Sequence, residues 1–295
     1  MYDVVIIGGG VAGLSAAIYA ARAGKKTLVL EGMMCGGQIV NSPKVSNYPG
    51  IKEISGFELA TSLYEQAQAC GAGIDYQKVV SVEDRGDTKL VITDSDTIEC
   101  KNVIIATGAK HRELGLDNEN ELVGKGISYC ATCDGAFYKD KTVAVIGGGN
   151  TALMDALYLS KLCSKVYLIH RREEFRGKDG ILNELCNTEN VEILRNCIVK
   201  EAVADDTVKA IIVENVITHD TREYEVSGIF VAVGQMPDTK LFEGLVDMDE
   251  YGYIKADESL KTNVPGIYAA GDCRTKEVRQ LATAAADGAI AGSKI

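Results

Sequence analysis

Cys130 and Cys133 stand two residues apart in the run Ser128-Tyr129-Cys130-Ala131-Thr132-Cys133-Asp134-Gly135, a few residues ahead of a glycine-rich loop. Thiols at this spacing can close into a disulfide and reopen. Beside a nucleotide loop they suggest electrons passing from a nicotinamide to a pair of sulfurs. The same spacing can also be half of a structural zinc site. Such a site needs four Cys or His ligands, and no second closely spaced pair occurs in the chain, so no metal is expected. Nothing apolar flanks the pair on the Asp134-Gly135 side, which argues against two inert core cysteines.

Two segments have the form needed to hold a dinucleotide. In the first, the apolar run Asp3-Val4-Val5-Ile6-Ile7 leads into Gly8-Gly9-Gly10-Val11-Ala12-Gly13 and then a helix pattern rich in small residues, closed by Gly24. The glycines let the backbone approach a pyrophosphate, and the helix end offers it a positive dipole. The next strand, Thr27 to Leu30, ends at Glu31, whose carboxylate can accept a hydrogen bond from a ribose hydroxyl. In the second, Lys141 to Ile146 leads into Gly147-Gly148-Gly149-Asn150-Thr151-Ala152, with alanine where a third glycine could stand. Its following strand, Val166 to Ile169, ends in His170-Arg171-Arg172, with Arg176 one turn further. Arginine forks suit a 2′-phosphate as an acid suits a free hydroxyl. The first loop is therefore expected to take an unphosphorylated adenosine and the second NADPH. The alternative for the arginines is a solvated run neutralised by Glu173 and Glu174.

A third short apolar strand, Gly266 to Ala270, ends in Gly271-Asp272, which can present a carboxylate and a backbone N–H to a flavin's ribityl and phosphate oxygens. The runs ending at Gly108 and Gly234 mark where the chain crosses between domains. The expected fold is α/β: two Rossmann-like, three-layer nucleotide-binding domains, the second inserted into the first. The boundaries are residues 1–109 with 240–295 for one and 110–239 for the other. Small antiparallel layers are expected from Tyr76 to Glu99 and from Ala210 to Val226.

The 295 residues allow two separate cores. A net charge of −11 and the lack of any long Lys/Arg block exclude a nucleic-acid partner. No run of about 18 uncharged apolar residues suggests a membrane helix. The first residues lack the basic segment of a signal peptide, which points to the cytoplasm. Nine cysteines, an odd number without dense spacing, read mostly as reduced core residues, Cys35 and Cys273 among them.

Taken together, the chain resembles the low-molecular-weight, bacterial-type thioredoxin reductases over essentially its whole length. The resemblance rests on both glycine loops, Gly36-Gly37-Gln38, Asn47-Tyr48-Pro49-Gly50, Cys130 to Gly135, His170-Arg171-Arg172 with Arg176, and Gly271-Asp272 followed by Arg279-Gln280. It implies FAD contacts at Gly8, Gly10, Gly13, Glu31, Gly36, Gly37, Gln38, Asn47, Gly271, Asp272, Arg279 and Gln280. It implies NADPH contacts at Gly147, Gly149, Asn150, Thr151, Ala152, His170, Arg171, Arg172 and Arg176. It further implies a homodimer, thioredoxin as protein substrate, Cys133 facing the flavin and Cys130 attacking the partner's disulfide. Asp134 beside them is the expected general acid/base, with a plain turn residue as its alternative. A ferredoxin-dependent relative, a flavin dithiol oxidase and a non-turnover redox sensor are the competing functions. The first loses the NADPH motifs that are intact here, the second needs no arginine cluster, and the third needs no electron supply. Because the chain stops at Ile295, the last helix of the family is expected to be short or cut.

Overall fold

The computed structural model describes residues 1–295. Residues 1–110 and 236–295 form one compact unit, and residues 111–235 form another.

In the first unit five parallel strands lie in the order Gly73–Asp75, Thr27–Leu30, Tyr2–Ile7, Thr97–Ile105 and Ile267–Ala269. Side chains of successive strand residues point to opposite faces, so Val4 and Ile6 join one core with Leu14, Ala17 and Ile104. Val5 and Ile7 join a second core with Val103, Ile105, Phe242 and Ile254 on the other face. A strand buried on both faces must be apolar throughout, which is why Val4 to Ile7 carries no alternation. The long strand Thr97–Ile105 serves twice. Its first half pairs antiparallel with Lys89–Thr93, which in turn pairs with Val79–Asp84.

The last helix is present in full turns, Leu281–Ser293. It lies against the helix Val11–Arg22 so closely that a Cβ on Gly288 would sit 2.1 Å from the Ala12 carbonyl oxygen, and one on Gly292 2.4 Å from that of Ala16.

The second unit repeats the order with Val191–Arg195, Lys165–His170, Thr142–Ile146, Gly228–Val231 and Ile127–Ser128, again all parallel. The helices Asn150–Ser160 and Asp179–Cys186 cover its strands. A separate antiparallel sheet holds Cys197–Ala204, Val208–Asn215 and Thr221–Glu225. It begins thirteen residues before the Ala210 expected from sequence. The register slips between Val199 and Glu201, and such a bulge breaks the two-residue alternation by which a strand is recognised.

The chain crosses between the units at 110/111 and 235/236, where the sequence reading placed the crossings at 109/110 and 239/240. The strands that carry the crossings, Ala109–His111 and Gln235–Pro237, pair with each other. No helix is long and apolar enough to cross a membrane.

Candidate active site

Cys130 caps a single helical turn, Ala131–Asp134, and this turn carries Cys133 back over it. The amides of Cys133 and Asp134 both donate to the Cys130 carbonyl, at 3.2 and 3.1 Å. The two sulfurs are joined as a disulfide across a Cα–Cα distance of 5.3 Å. Both cysteines are half-buried. The turn rests on the helix Asn150–Ser160 at Gly135, where a Cβ would come within 3.0 Å of Tyr158 and Leu159 side-chain atoms. Asp134 follows immediately. Burial raises its carboxyl above the usual range, partly offset by the Ser128 hydroxyl, which donates to Oδ2 at 2.6 Å. A carboxyl lifted in this way can hold a proton closer to neutral pH than an exposed aspartate. Upstream, Tyr129 stacks on His111 and donates to Glu119 Oε1 at 2.7 Å. Burial and that carboxylate keep the Tyr129 phenol protonated. Glu119 itself is buried and accepts the amides of Leu114, Gly115 and Leu116.

The first glycine loop is closed by contacts that no side chain would survive. A Cβ on Gly8, at φ +105°, would strike the Ala106 carbonyl, and one on Gly13 would sit 1.9 Å from the Gly8 oxygen. Gly10 precedes the helix Val11–Arg22 without a side-chain cap. The amides of its first turn are therefore available to an anion. Glu31 lies at the loop as expected, its Oε2 accepting the Gly9 amide at 2.8 Å. The Gly36 amide donates to the Gly9 carbonyl, which brings Gly36-Gly37 alongside the loop. Gln38 Nε2 donates to the Ala109 carbonyl. Asn47 Nδ2 donates to Gln280 Oε1 at 3.2 Å, joining expected site residues from opposite ends of the chain. Arg279 stacks its guanidinium over Tyr253 at 4.1 Å.

Three shielded side-chain polar atoms lack a hydrogen bond, Thr107 Oγ1, Asp272 Oδ1 and Arg279 Nε, although Asp272 Oδ1 keeps an ion pair with Lys276 at 3.5 Å. All three lie in the first unit. Thr107 borders Gly8, Asp272 follows a Gly271 packed on Ala12, and Arg279 adjoins Gln280. An unmet buried polar group costs about 1–3 kcal/mol. Donors and acceptors waiting around a glycine loop fit an elongated, hydroxylated nucleotide such as FAD. Burial raises the Asp272 carboxyl, with Lys276 and Arg279 drawing it back down.

In the second loop Gly147, at φ +155°, would drive a Cβ to 2.3 Å from the Ala232 oxygen. Gly149 stands at the N-cap position of the eleven-residue helix Asn150–Ser160, again with no side-chain cap, so Thr151 and Ala152 lie in its first turn. Asn150 Oδ1 accepts the Lys178 amide, and the Arg176 amide donates to the Gly148 carbonyl, both at 2.8 Å. These bonds fold the segment after the strand back onto the loop. Arg171, Arg172 and Arg176 are exposed, and none forms an ion pair. Glu173 makes no ion pair with them; its carboxylate accepts from Asn196 Nδ2 at 2.6 Å. His170 is placed differently. Its ring is buried beneath Gly148 and lies against Phe175 at a 37° tilt, with Nε2 3.1 Å from the Glu174 carbonyl. Burial lowers its pKa, partly offset by the Glu174 carbonyl and aided by the neighbouring arginines. It supports the loop from below rather than standing with the three guanidiniums.

Sequence reasoning missed Ser128 and a buried ionic cluster behind Gly271-Asp272. In that cluster Asp287 accepts the Gly271 amide at 2.9 Å, a two-pronged contact from Arg274 at 2.9 and 2.8 Å, and Lys276 at 3.1 Å. The available signal was one acid in an otherwise uncharged helix, Leu281 to Ser293. Cys35 and Cys273 are buried thiols whose pKa burial raises, Cys273 to about 11. Cys186 is exposed, unlike the core cysteines expected.

A sheet of this order repeated in both units, each with its own glycine loop, and a disulfide in one of them define a pyridine-nucleotide-linked disulfide oxidoreductase. Residues 2–289 match the model of the pyridine nucleotide-disulphide oxidoreductase family. The chain belongs to that family and, within it, to the thioredoxin reductase group. Membership implies the use of a flavin and a pyridine nucleotide. It is 42% identical to a thioredoxin reductase of Peptoclostridium acidaminophilum, covering 100% of this chain and 96% of that one. The crystal structure of thioredoxin reductase from Streptococcus pyogenes matches at 40% identity with a TM-score of 0.95, covering 100% and 96% of the two chains. That of Lactococcus lactis thioredoxin reductase matches at 41% identity over 100% and 97%, with a TM-score of 0.68.

Proposed function

We propose that this chain passes an electron pair from NADPH to the Cys130–Cys133 disulfide and on to oxidised thioredoxin, with FAD resident at the first glycine loop. The observation that carries this reading is the pairing, within one unit, of a disulfide with a glycine loop rimmed by three arginines that have no acidic partner. Arg171, Arg172 and Arg176 would clamp the 2′-phosphate, and the amides after Gly149 would take the pyrophosphate. Gly8, Gly10, Gly13, Gly36, Gly37 and Gln38 would line the FAD path, Glu31 would accept a ribose hydroxyl, and Asp272, Arg279, Gln280 and Asn47 would meet its polar middle. When bound, FAD supplies the two-electron chemistry that links nicotinamide to disulfide.

Once reduced, Cys130 attacks as a thiolate. Its sulfur bonds to one sulfur of the partner's disulfide and expels the other, and Cys133 then attacks the mixed disulfide, releasing the partner as a dithiol and restoring the Cys130–Cys133 bond. Asp134 supplies or accepts the proton as sulfur changes between thiol and thiolate. Nicotinamide and dithiol need the same access to the flavin, and Cys130 must also reach a protein. Hinged movement of residues 111–235 about the two paired crossings would serve all three demands. Two relatives of nearly the same identity, 40% and 41%, that differ in TM-score, 0.95 against 0.68, are what such movement in the family would produce. The working form is a cytoplasmic homodimer.

The test is anaerobic mixing of the yellow protein with NADPH or NADH, followed by oxidised thioredoxin. Bleaching of the flavin band by NADPH in preference to NADH, and its recovery on adding thioredoxin, is the expected result. A flavin left oxidised by NADPH sinks the reading and makes ferredoxin the donor to try next.

A further inference from the structure

Ser128 is buried at the end of the strand Ile127–Ser128, two residues before the first cysteine, and its hydroxyl meets three groups. The Cys130 amide donates to Oγ at 3.1 Å, Asp134 Oδ2 lies at 2.6 Å and the Cys130 carbonyl at 3.3 Å. A hydroxyl has one proton and two lone pairs, so it can serve only one of the two acceptors at a time.

We infer that Ser128 is a positioning residue for proton transfer, donating to the Asp134 carboxylate when it is ionised and turning to the Cys130 carbonyl when Asp134 is protonated. While Asp134 is ionised, the 2.6 Å contact is a charge-assisted bond that favours the carboxylate. When Asp134 carries a proton, its own O–H donates to Ser128 Oγ and the serine proton moves to the carbonyl of the attacking cysteine. Neither state leaves a shielded group unmet, so the carboxyl can cycle without the penalty of an unsatisfied buried group. The Cys130 amide stays bound in both states.

The Ser128 hydrogen bond is what draws the Asp134 carboxyl back down against burial. The titratable groups on the elements packed around it are Tyr138 in the next turn and Asp155 and Tyr158 on the helix Asn150–Ser160. Burial first, and the Asp134 charge second, raise the Tyr138 phenol. Asp155 is pushed up to about 6 by burial and titrates near it, so its contribution must be removed separately.

This inference rests on the acid/base role proposed for Asp134, and the experiment separates the two. The rate of thioredoxin reduction by the intact holoenzyme is followed against pH in an Asp155→Asn background. Asp134→Asn should remove the limb due to that group; if the limb survives, Asp134 is not the acid/base and the parent reading is at fault. With that limb established, Ser128→Ala removes the donor to the carboxylate and should move it upward by about one pH unit, while Ser128→Thr restores it. Ser128→Gly must shift it the same way should the alanine variant fail to fold. A limb that stays in place in the variants lacking the hydroxyl overturns the inference, and so does one that moves equally in Ser128→Thr.

Discussion

The two units share one strand order and one loop design, yet differ at three points that separate their work. At the end of the second strand the first unit places Glu31, bound to its own loop through Gly9, and the second is followed by three exposed arginines whose guanidiniums form no ion pair. At the third loop position Gly13 lies so near Gly8 that no Cβ fits, whereas Ala152 is accommodated in full burial. The fifth strand comes from Ile267–Ala269, far along the chain, in the first unit and from Ile127–Ser128, just ahead of the cysteines, in the second. On the proposed reading, the same scaffold would hold a resident ligand where backbone meets backbone, and an exchangeable one where exposed cations do the binding.

Substitutions in both units test that division. Cys130→Ser or Cys133→Ser should abolish thioredoxin reduction while NADPH still bleaches the flavin. Loss of the yellow colour instead would show that the pair supports the first unit's ligand. Next in size is Asp287→Ala, which leaves Arg274 and Lys276 buried without their acid and should cost about 3–5 kcal/mol, read by urea unfolding and by flavin content. Burial lifts the Asp287 carboxyl, but Arg274 and Lys276 outweigh it and hold it below its usual value. Its contribution is therefore complete above the unfolded value near 4 and is lost as pH falls through the lower folded value. An Asp287→Asn variant should accordingly lose its stability deficit in acid, and a deficit independent of pH would contradict the ionic account.

Replacing Arg171 or Arg172 by Ala should raise the KM for NADPH by ten- to about a hundredfold, the worth of one charge-assisted contact of about 1.5–3 kcal/mol. NADH kinetics should stay unchanged; equal losses for both nucleotides would remove the distinction drawn between the loops. The smallest effect belongs to Ala152→Gly, about 1 kcal/mol at most from helix propensity, with cofactor binding retained. The reverse change in the first unit, Gly13→Ala, forces a Cβ into the Gly8 carbonyl and should empty that unit of its flavin.

What was readable in the chain was local. Glycine loops, the strand-end acid and arginines, and the cysteine pair are each written within a few consecutive residues, because a tight turn or a helix end imposes its demands on neighbours. Asp287 escaped notice because its partners Gly271 and Arg274 lie more than a dozen residues away, across a turn whose path only folding reveals. Ser128 read as one more polar residue before the cysteines until the helical turn brought Asp134 back to it. His170 was grouped with the arginines by adjacency, and strand alternation sends it inward instead. The strand Cys197–Ala204 was hidden by its bulge.

The late arrival of Ile267–Ala269 and Leu281–Ser293 has a consequence for biosynthesis. Residues 111–235 emerge as one continuous stretch containing every strand of their parallel sheet, so they can close while translation continues. The segment before residue 111 must wait with an open edge along Thr97–Ile105 and an uncovered helix until residues 236–295 have been made. A molecule that needs Gly271-Asp272 to seat itself can therefore be loaded only after that late segment has been made.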